Sequence, residues 1–467
     1  MKFIELPNKS ECIEDARVAW DDKDEGPEDP KEFTPLLSDL ESAKSKLPRL
    51  YRRIVLRPFL EELQDLGESE FKRILRRDRK REGDAGLLLD IAHAILQNGV
   101  GYKKAATDAF QEVVADLYDG FLSAEDRAGV KPPERGAVAP LVKWGSPGSG
   151  PYTWPVEATE EWGVGAGIVS LPPSHTWCGL TGWATLGHET AGHDILNADE
   201  GLLLELKQGL RDALEKENLG FGLPEYWSSR IDETASDVLG ILNMGPAAGI
   251  GIIMYFRGYY AGKKLSTFGP KNDEHPADIV RGWLAAETVR LLSFEDHGAW
   301  ADTIKAETDA DVGTRTIRLA KKVIPKATAE RSAEVVAKTL VKAPLKSLEG
   351  RALGDIQNWR DNDEEIVEKL RGHLRSGAGA GGYEGDEKHF AAHAVAAAVY
   401  EALRVRDADI PGIFKRMLKL LKTMHRVNPA WGRSSLARAK RFRRHFVKLR
   451  KQTPVPHGDL TARSSRT

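Results

Sequence analysis

The sequence predicts a mainly α fold, of the α+β kind, with one small β element. Three observations predict it. Apolar residues recur at three- and four-residue steps over much of the chain, as in Leu50, Ile54, Leu56, Leu60 and Leu63, the spacing of one helix face. A short β-type run, Gly167 to Leu171, stops at Pro172 and Pro173, as a brief strand does. Hydrophobic residues make up 41% and charged residues 30% of the 467 positions, enough to bury a core beneath an ordinary hydrated surface.

Four segments follow from the order of these signals. Residues 1–35 contain the acidic, Pro-containing stretch Asp21 to Asp29, too polar to bury anything, and read as a flexible tail. Residues 36–150 form an N-terminal helical region of about five helices between Leu36 and Leu122, then a Pro- and Gly-dense irregular connection from Gly129 to Gly167. Residues 151–300 hold the strand, a helix begun by Thr176 or Thr181, and helices over 200–218, 228–242 and 276–292. Residues 301–467 form a C-terminal helical region, with helices over 327–340, 361–374 and 389–403 and a basic tail. The most apolar run, Val238 to Phe256, is long enough to span a bilayer, but Asn243, Pro246 and four glycines interrupt it. It reads as a buried helix, a turn and a second helix.

The charge balance is near zero, 68 Lys and Arg against 70 Asp and Glu, which argues against a nucleic-acid coat or an acidic solvating chain. Cys12 and Cys178 are the only cysteines, so neither a disulfide framework nor a Cys-rich zinc module is present. Glu5, Glu11 and Glu14 break up the start of the chain, which lacks a signal-peptide apolar core. The expectation is a cytoplasmic protein without a membrane span.

The segment Leu186-Gly-His188-Glu189-Thr190-Ala191-Gly192-His193-Asp194 carries the chemistry. Two imidazoles and a carboxylate on one helix are the groups that hold Zn²⁺ and activate a water. Residues four apart on a helix differ by about 40° and grip one ion, whereas a five-residue step turns His193 about 140° from His188. Joint ligation therefore requires one extra residue to be absorbed as a π-bulge, and Gly192 supplies backbone freedom there. Some forty residues on, Asp232-Glu233-Thr234-Ala235-Ser236-Asp237 lies on a segment with helical spacing at Ile231, Val238, Leu239 and Leu242. Glu233 is the candidate third ligand, and Asp237, one turn later, the candidate acceptor for the free N–H of a ligand imidazole. Two His and one Glu leave a fourth position open for water, the catalytic arrangement.

His188 to His193 resembles the expanded zinc motif of the dipeptidyl peptidase III family, H-E-L-L-G-H, and Asp232 to Asp237 resembles its partner motif E-E-C-R-A-E/D. The likeness covers these two motifs only; the Cys and Arg of the second are replaced here by Thr234 and Ala235. It implies a zincin-like catalytic core holding one Zn²⁺ per chain, with His188, His193 and Glu233 as ligands and Glu189 as general base. Its wider implication is a gluzincin-type metallopeptidase acting on a peptide or protein substrate. Two neighbouring features fit that plan. Ile168 to Leu171 is either an edge strand that pairs with an extended peptide or an ordinary strand of a small sheet. Glu274-His275-Pro276 resembles the His-Pro segment that follows the glutamate ligand in several zinc-dependent peptidases, which implies that His275 donates a hydrogen bond to an oxyanion, although His-Pro also starts helices for local reasons.

Weaker signals lie further on. His389 and His393 stand four apart on an apolar helix, as packed or substrate-facing histidines, and Tyr383 is a candidate oxyanion donor if its loop covers the metal. His175 lies close before the motif helix. From Pro411 to Lys451 there are fourteen Lys or Arg and no Asp or Glu, with Trp431, Phe442 and Phe446 among them. That composition suits a solvated basic face, nucleic acid or anionic lipid. The competing function is therefore a non-catalytic helical interaction protein with a structural metal and a nucleic-acid- or partner-binding C-terminal region.

Overall fold

The computed structural model describes residues 3–122, 127, 129–134, 138–260, 262–313, 315–376 and 391–427. It is 67% helical with 6% strand, the mainly α architecture that the spacing predicts. One hydrophobic cluster runs from Leu6 to Met424, so the four segments close a single core together. The helices Leu202–Glu217, Ile231–Met244, Asp278–Arg290, Lys326–Lys342, Asp361–Ser376 and Ala391–Arg404 follow the apolar periodicity. The run after Val238 is two buried helices, the second Pro246–Tyr259. They are parted by Gly245 at φ 64°, where a Cβ would lie 2.6 Å from the Trp359 ring. A further helix, His297–Ala310, lay outside the periodic segments. Among the described residues no helix is long and apolar enough to cross a membrane.

The N-terminal segment is not a flexible tail. Lys9–Asp21 is a helix that buries Cys12, Ile13, Ala16 and Ala19 against Pro246–Tyr259, so closely that a Cβ on Gly258 would meet Ala16 at 2.5 Å. Its apolar stripe consists largely of small residues among charges, which is why mean polarity conceals it. Beyond the helix, Trp177 Nε1 donates to Asp22 at 3.1 Å. The Asp29 carboxylate, 4% exposed, is held by Arg81 and by His93 Nε2.

The supposed irregular connection contains two strands. Strands β1 (Leu141–Trp144), β2 (Tyr152–Trp154) and β3 (Ile168–Leu171) form a sheet in the order β1-β3-β2, with β1 parallel and β2 antiparallel to β3. Ile168 to Leu171 is thus the buried central strand, and the edge strand beside the motif helix is β2. The outer edge of β1 is closed by side-chain amides. Gln97 bonds both N and O of Trp144, Asn98 donates to Val142 O, and Gln111 accepts from Val142 N, a protection that exposed sheet edges require.

Asp90 anchors β2. It accepts from Lys143 Nζ at 2.5 Å, Tyr152 Oη at 2.7 Å and Trp154 Nε1 at 2.8 Å. Because alternate strand residues face opposite sides, fixing Tyr152 and Trp154 turns Thr153 the other way, onto the motif helix. A second sheet, unread in the sequence, comprises β4 (Phe268–Gly269), β5 (Thr316–Leu319) and β6 (Lys322–Pro325). Its first strand leads into the loop that carries His275.

His175 is a core residue. It is buried under Gly179 and Gly182, where a Cβ would meet its ring at 2.9 and 2.1 Å, and its Nε2 has no hydrogen-bond partner among the described residues. Burial pushes its pKa down to about 4. The unfolded ring takes up a proton near pH 6.5 and the folded ring does not, so this residue's contribution is intact above pH 6.5 and is lost as pH falls toward 4. Between pH 7 and pH 5 the loss is about 2 kcal/mol. Urea unfolding at the two pH values should show a stability change from pH 7 to pH 5 that is less unfavourable in His175→Asn than in wild type by about that amount, whatever the variant's overall stability.

Candidate metal centre

The motif helix begins as an α-turn at Leu186–His188, widens to a π-helix over Glu189–Asp194 and tightens again at Ile195–Asn197. The wide turn absorbs the fifth residue, so His188 and His193 return to one side. Leu186, Ile195 and Leu196 are fully buried, which leaves the helix no freedom to rotate. It runs antiparallel to Ile231–Met244 with the backbones nearly touching. A Cβ on Gly187 would lie 3.1 Å from Gly240 Cα, and one on Gly192 would lie 2.1 Å from Ser236 Cβ. At the far end of the π-turn, Asp194 Oδ1 accepts from Val156 N at 2.7 Å, tying the helix to the chain leaving β2.

This crossing brings three candidate ligands together. His188 Nε2 is 3.2 Å from Glu233 Oε2 and His193 Nε2 is 3.6 Å from Glu233 Oε1. One ligand atom from each residue lies within 4.8 Å of the others. A tetrahedral ion with bonds of about 2.0–2.1 Å needs donor atoms about 3.4 Å apart. Glu233 Oε2 is buried and accepts no hydrogen bond from the described residues, so this acceptor is left unsatisfied in the pocket. Donor types, spacing and this orphaned oxygen all fit a zinc ion.

Each ligand ring is backed by a carboxylate. His188 Nδ1 lies 2.8 Å from Asp237 Oδ1 and His193 Nδ1 lies 3.0 Å from Asp232 Oδ1, bonds that leave both Nε2 atoms facing Glu233. Arg281 completes the first pair by donating to both Asp237 oxygens at 2.8 and 2.7 Å, with its guanidinium 4.8 Å over the Phe256 ring. Burial alone would lower the histidine pKa values. The Asp237 bond and the charges of Asp237 and Glu233 outweigh it and push His188 up to about 9, and Glu233 and Asp232 push His193 up to about 10. Burial raises Glu233, but the three surrounding histidines hold it well below the usual carboxylate range. Metal loading must therefore displace ring protons.

Glu189 lies beside this set without belonging to it. Thr153 Oγ1 of β2 is 2.9 Å from both its backbone O and its Oε2, which fixes the carboxylate against the edge strand. Burial and the Glu189 charge together raise the Tyr255 phenol above its ordinary range. His275 projects from the loop after β4, with Nε2 3.4 Å from Glu233 Oε2 and Nδ1 3.1 Å from Asp273, and it is 54% exposed. Arg230 steadies this loop through His275 O and Pro270 O. His-Pro does not open the next helix, which begins at Asp278.

His393 is not part of the centre. It is buried, bonds Asp363 at 2.9 Å and packs on Trp359. Trp359 covers Gly245, at the opposite end of the Glu233 helix, about 18 Å away along its axis. The apolar character of its own helix turns this histidine into the core. Tyr383 and His389 lie outside the described residues. Asp232, Thr153 and Tyr255 escaped the sequence reading; only Asp232, adjacent to Glu233, carried a local signal. No family model, no curated protein and no solved structure matches this chain.

Proposed function

We propose that the chain is a zinc-dependent hydrolase, a metallopeptidase that cleaves a peptide amide bond with one Zn²⁺ held by His188, His193 and Glu233. The observation that carries this reading is the spacing of the three ligand atoms, near that of a tetrahedral site with one position open, beside a carboxylate that is not a ligand. A zinc ion in such a site supplies Lewis-acid polarisation of a carbonyl and acidifies a water. Glu189 takes the proton of the attacking water and hands it to the leaving amine, its carboxylate aimed by Thr153. His275 donates a hydrogen bond to the carbonyl oxygen as charge builds there. The β2 edge next to Glu189 offers an extended peptide a strand to pair with, which favours a peptide over other amides. The motif likeness to the dipeptidyl peptidase III family supports the same chemistry.

Metal analysis tests the ligand set. Wild type is expected to hold about one zinc per chain, lost in His188→Ala, His193→Ala and Glu233→Ala. Wild type free of metal after zinc is supplied, or His193→Ala with full zinc, would overturn the three-ligand site and favour a helical interaction protein.

A further inference from the structure

The helix Ile410–Val427 closes the back of the core. Ile413, Phe414, Met417, Leu421 and Met424 are buried, with Phe414 edge-on to Trp183 at 5.9 Å, just before the motif helix. Its outer side exposes Lys415, Lys419, Lys422 and Arg426, spaced four, three and four residues apart, a line of about 16 Å on one face. On other helices many surface cations pair with carboxylates a turn away, as in Arg57–Glu61, Lys72–Glu68, Arg211–Glu215 and Lys305–Asp309, and the exposed cations without ion pairs there among the described residues, such as Lys207, Lys338 and Lys342, lie on helices that also carry carboxylates. Of the groups on this helix only Arg416 and His425 have ion pairs among the described residues. The four outward cations have none. The sequence has no Asp or Glu from Pro411 to Lys451, and fourteen Lys or Arg there leave 54 against 70 acidic residues elsewhere. The sequence is thus strongly polarised in charge, and this helix presents an ordered basic face without ion partners among the described residues.

We propose that this face binds single-stranded nucleic acid through its phosphates, without reading sequence. Cations recurring every 5–6 Å or so along a helix can follow a flexible strand phosphate by phosphate, releasing a condensed counterion at each contact. The bilayer is the weaker fit, because a helix lying in a membrane inserts an apolar face and here that face is spent in the core. The negative remainder of the chain repels a polyanion, which confines binding to this side.

The test is fluorescence anisotropy of the full chain with a labelled oligothymidine of about 20 nucleotides between roughly 50 and 200 mM salt. The comparison is the fourfold variant Lys415→Glu, Lys419→Glu, Lys422→Glu, Arg426→Glu. Wild type should bind with a steep salt dependence. The variant should lose affinity by more than about tenfold, its log–log salt slope shallower by about 3, since each single-strand phosphate contact contributes about 0.7. Its zinc content and melting temperature should match wild type, which separates this surface from the metal centre. No binding by wild type, an unchanged slope in the variant, or binding to phosphatidylserine vesicles but not to the oligonucleotide would overturn the proposal.

Discussion

Glu189→Gln is expected to lower the rate of peptide hydrolysis by about 10²–10⁴-fold while zinc stays bound at the wild-type level. The amide has the shape of the carboxylate and its oxygen still accepts the Thr153 hydroxyl, 2.9 Å from Oε2 in the native protein. What it cannot do is take a proton from water. The ligand atoms of His188, His193 and Glu233 form the cluster without Glu189, so the ion has no reason to leave. Turnover of a quenched-fluorescent peptide library, beside metal analysis of the same samples, checks both halves. Full turnover in the variant would remove Glu189 from proton transfer. Loss of zinc would make it a ligand and change the site from three protein donors to four.

How much of this centre was legible in the sequence depends on how far apart its parts lie in the chain. The five-residue step from His188 to His193, with Gly192 before the second histidine, is enough to require a widened turn, and the π-helix at Glu189–Asp194 is that turn. The long amphipathic helices are equally local and were readable. The edge strand was not, because β2 has three residues, too few for an alternation to show among prolines and glycines. Its role is set from elsewhere. Asp90 reaches Tyr152 and Trp154 across 62 and 64 positions, and Thr153 reaches Glu189 across 36. The N-terminal helix was hidden for a different reason. Ala16 and Ala19 bury little area each and earn their place by letting Gly258 and Gly179, respectively, approach within contact, a packing effect that hydrophobicity does not register.

Gly192→Ala is expected to abolish zinc binding, and this single methyl is the sharpest test of the helix crossing. Its Cβ would lie 2.1 Å from Ser236 Cβ and Oγ and 2.4 Å from Ser236 Cα, all inside van der Waals contact. No rotamer of Ser236 moves its Cα, so the two backbones must separate by about an ångström or more, at a cost of about 1–3 kcal/mol or above. That separation acts on the ligands directly, because His193 belongs to one helix and Glu233 to the other, 3.6 Å apart. Ser236→Gly in the same background removes the clashing side chain but not the Cα, so it should recover stability only in part. Gly209→Ala is the control. It sits on the exposed side of Leu202–Glu217 with nothing within 4 Å of its Cβ, and should gain about 0.5–1 kcal/mol from helix propensity with zinc retained. Thermal unfolding and metal content of the three proteins decide the matter. A stable, zinc-loaded Gly192→Ala would mean that the helices do not touch at Ser236, and the ligand geometry built on their contact would fall with it.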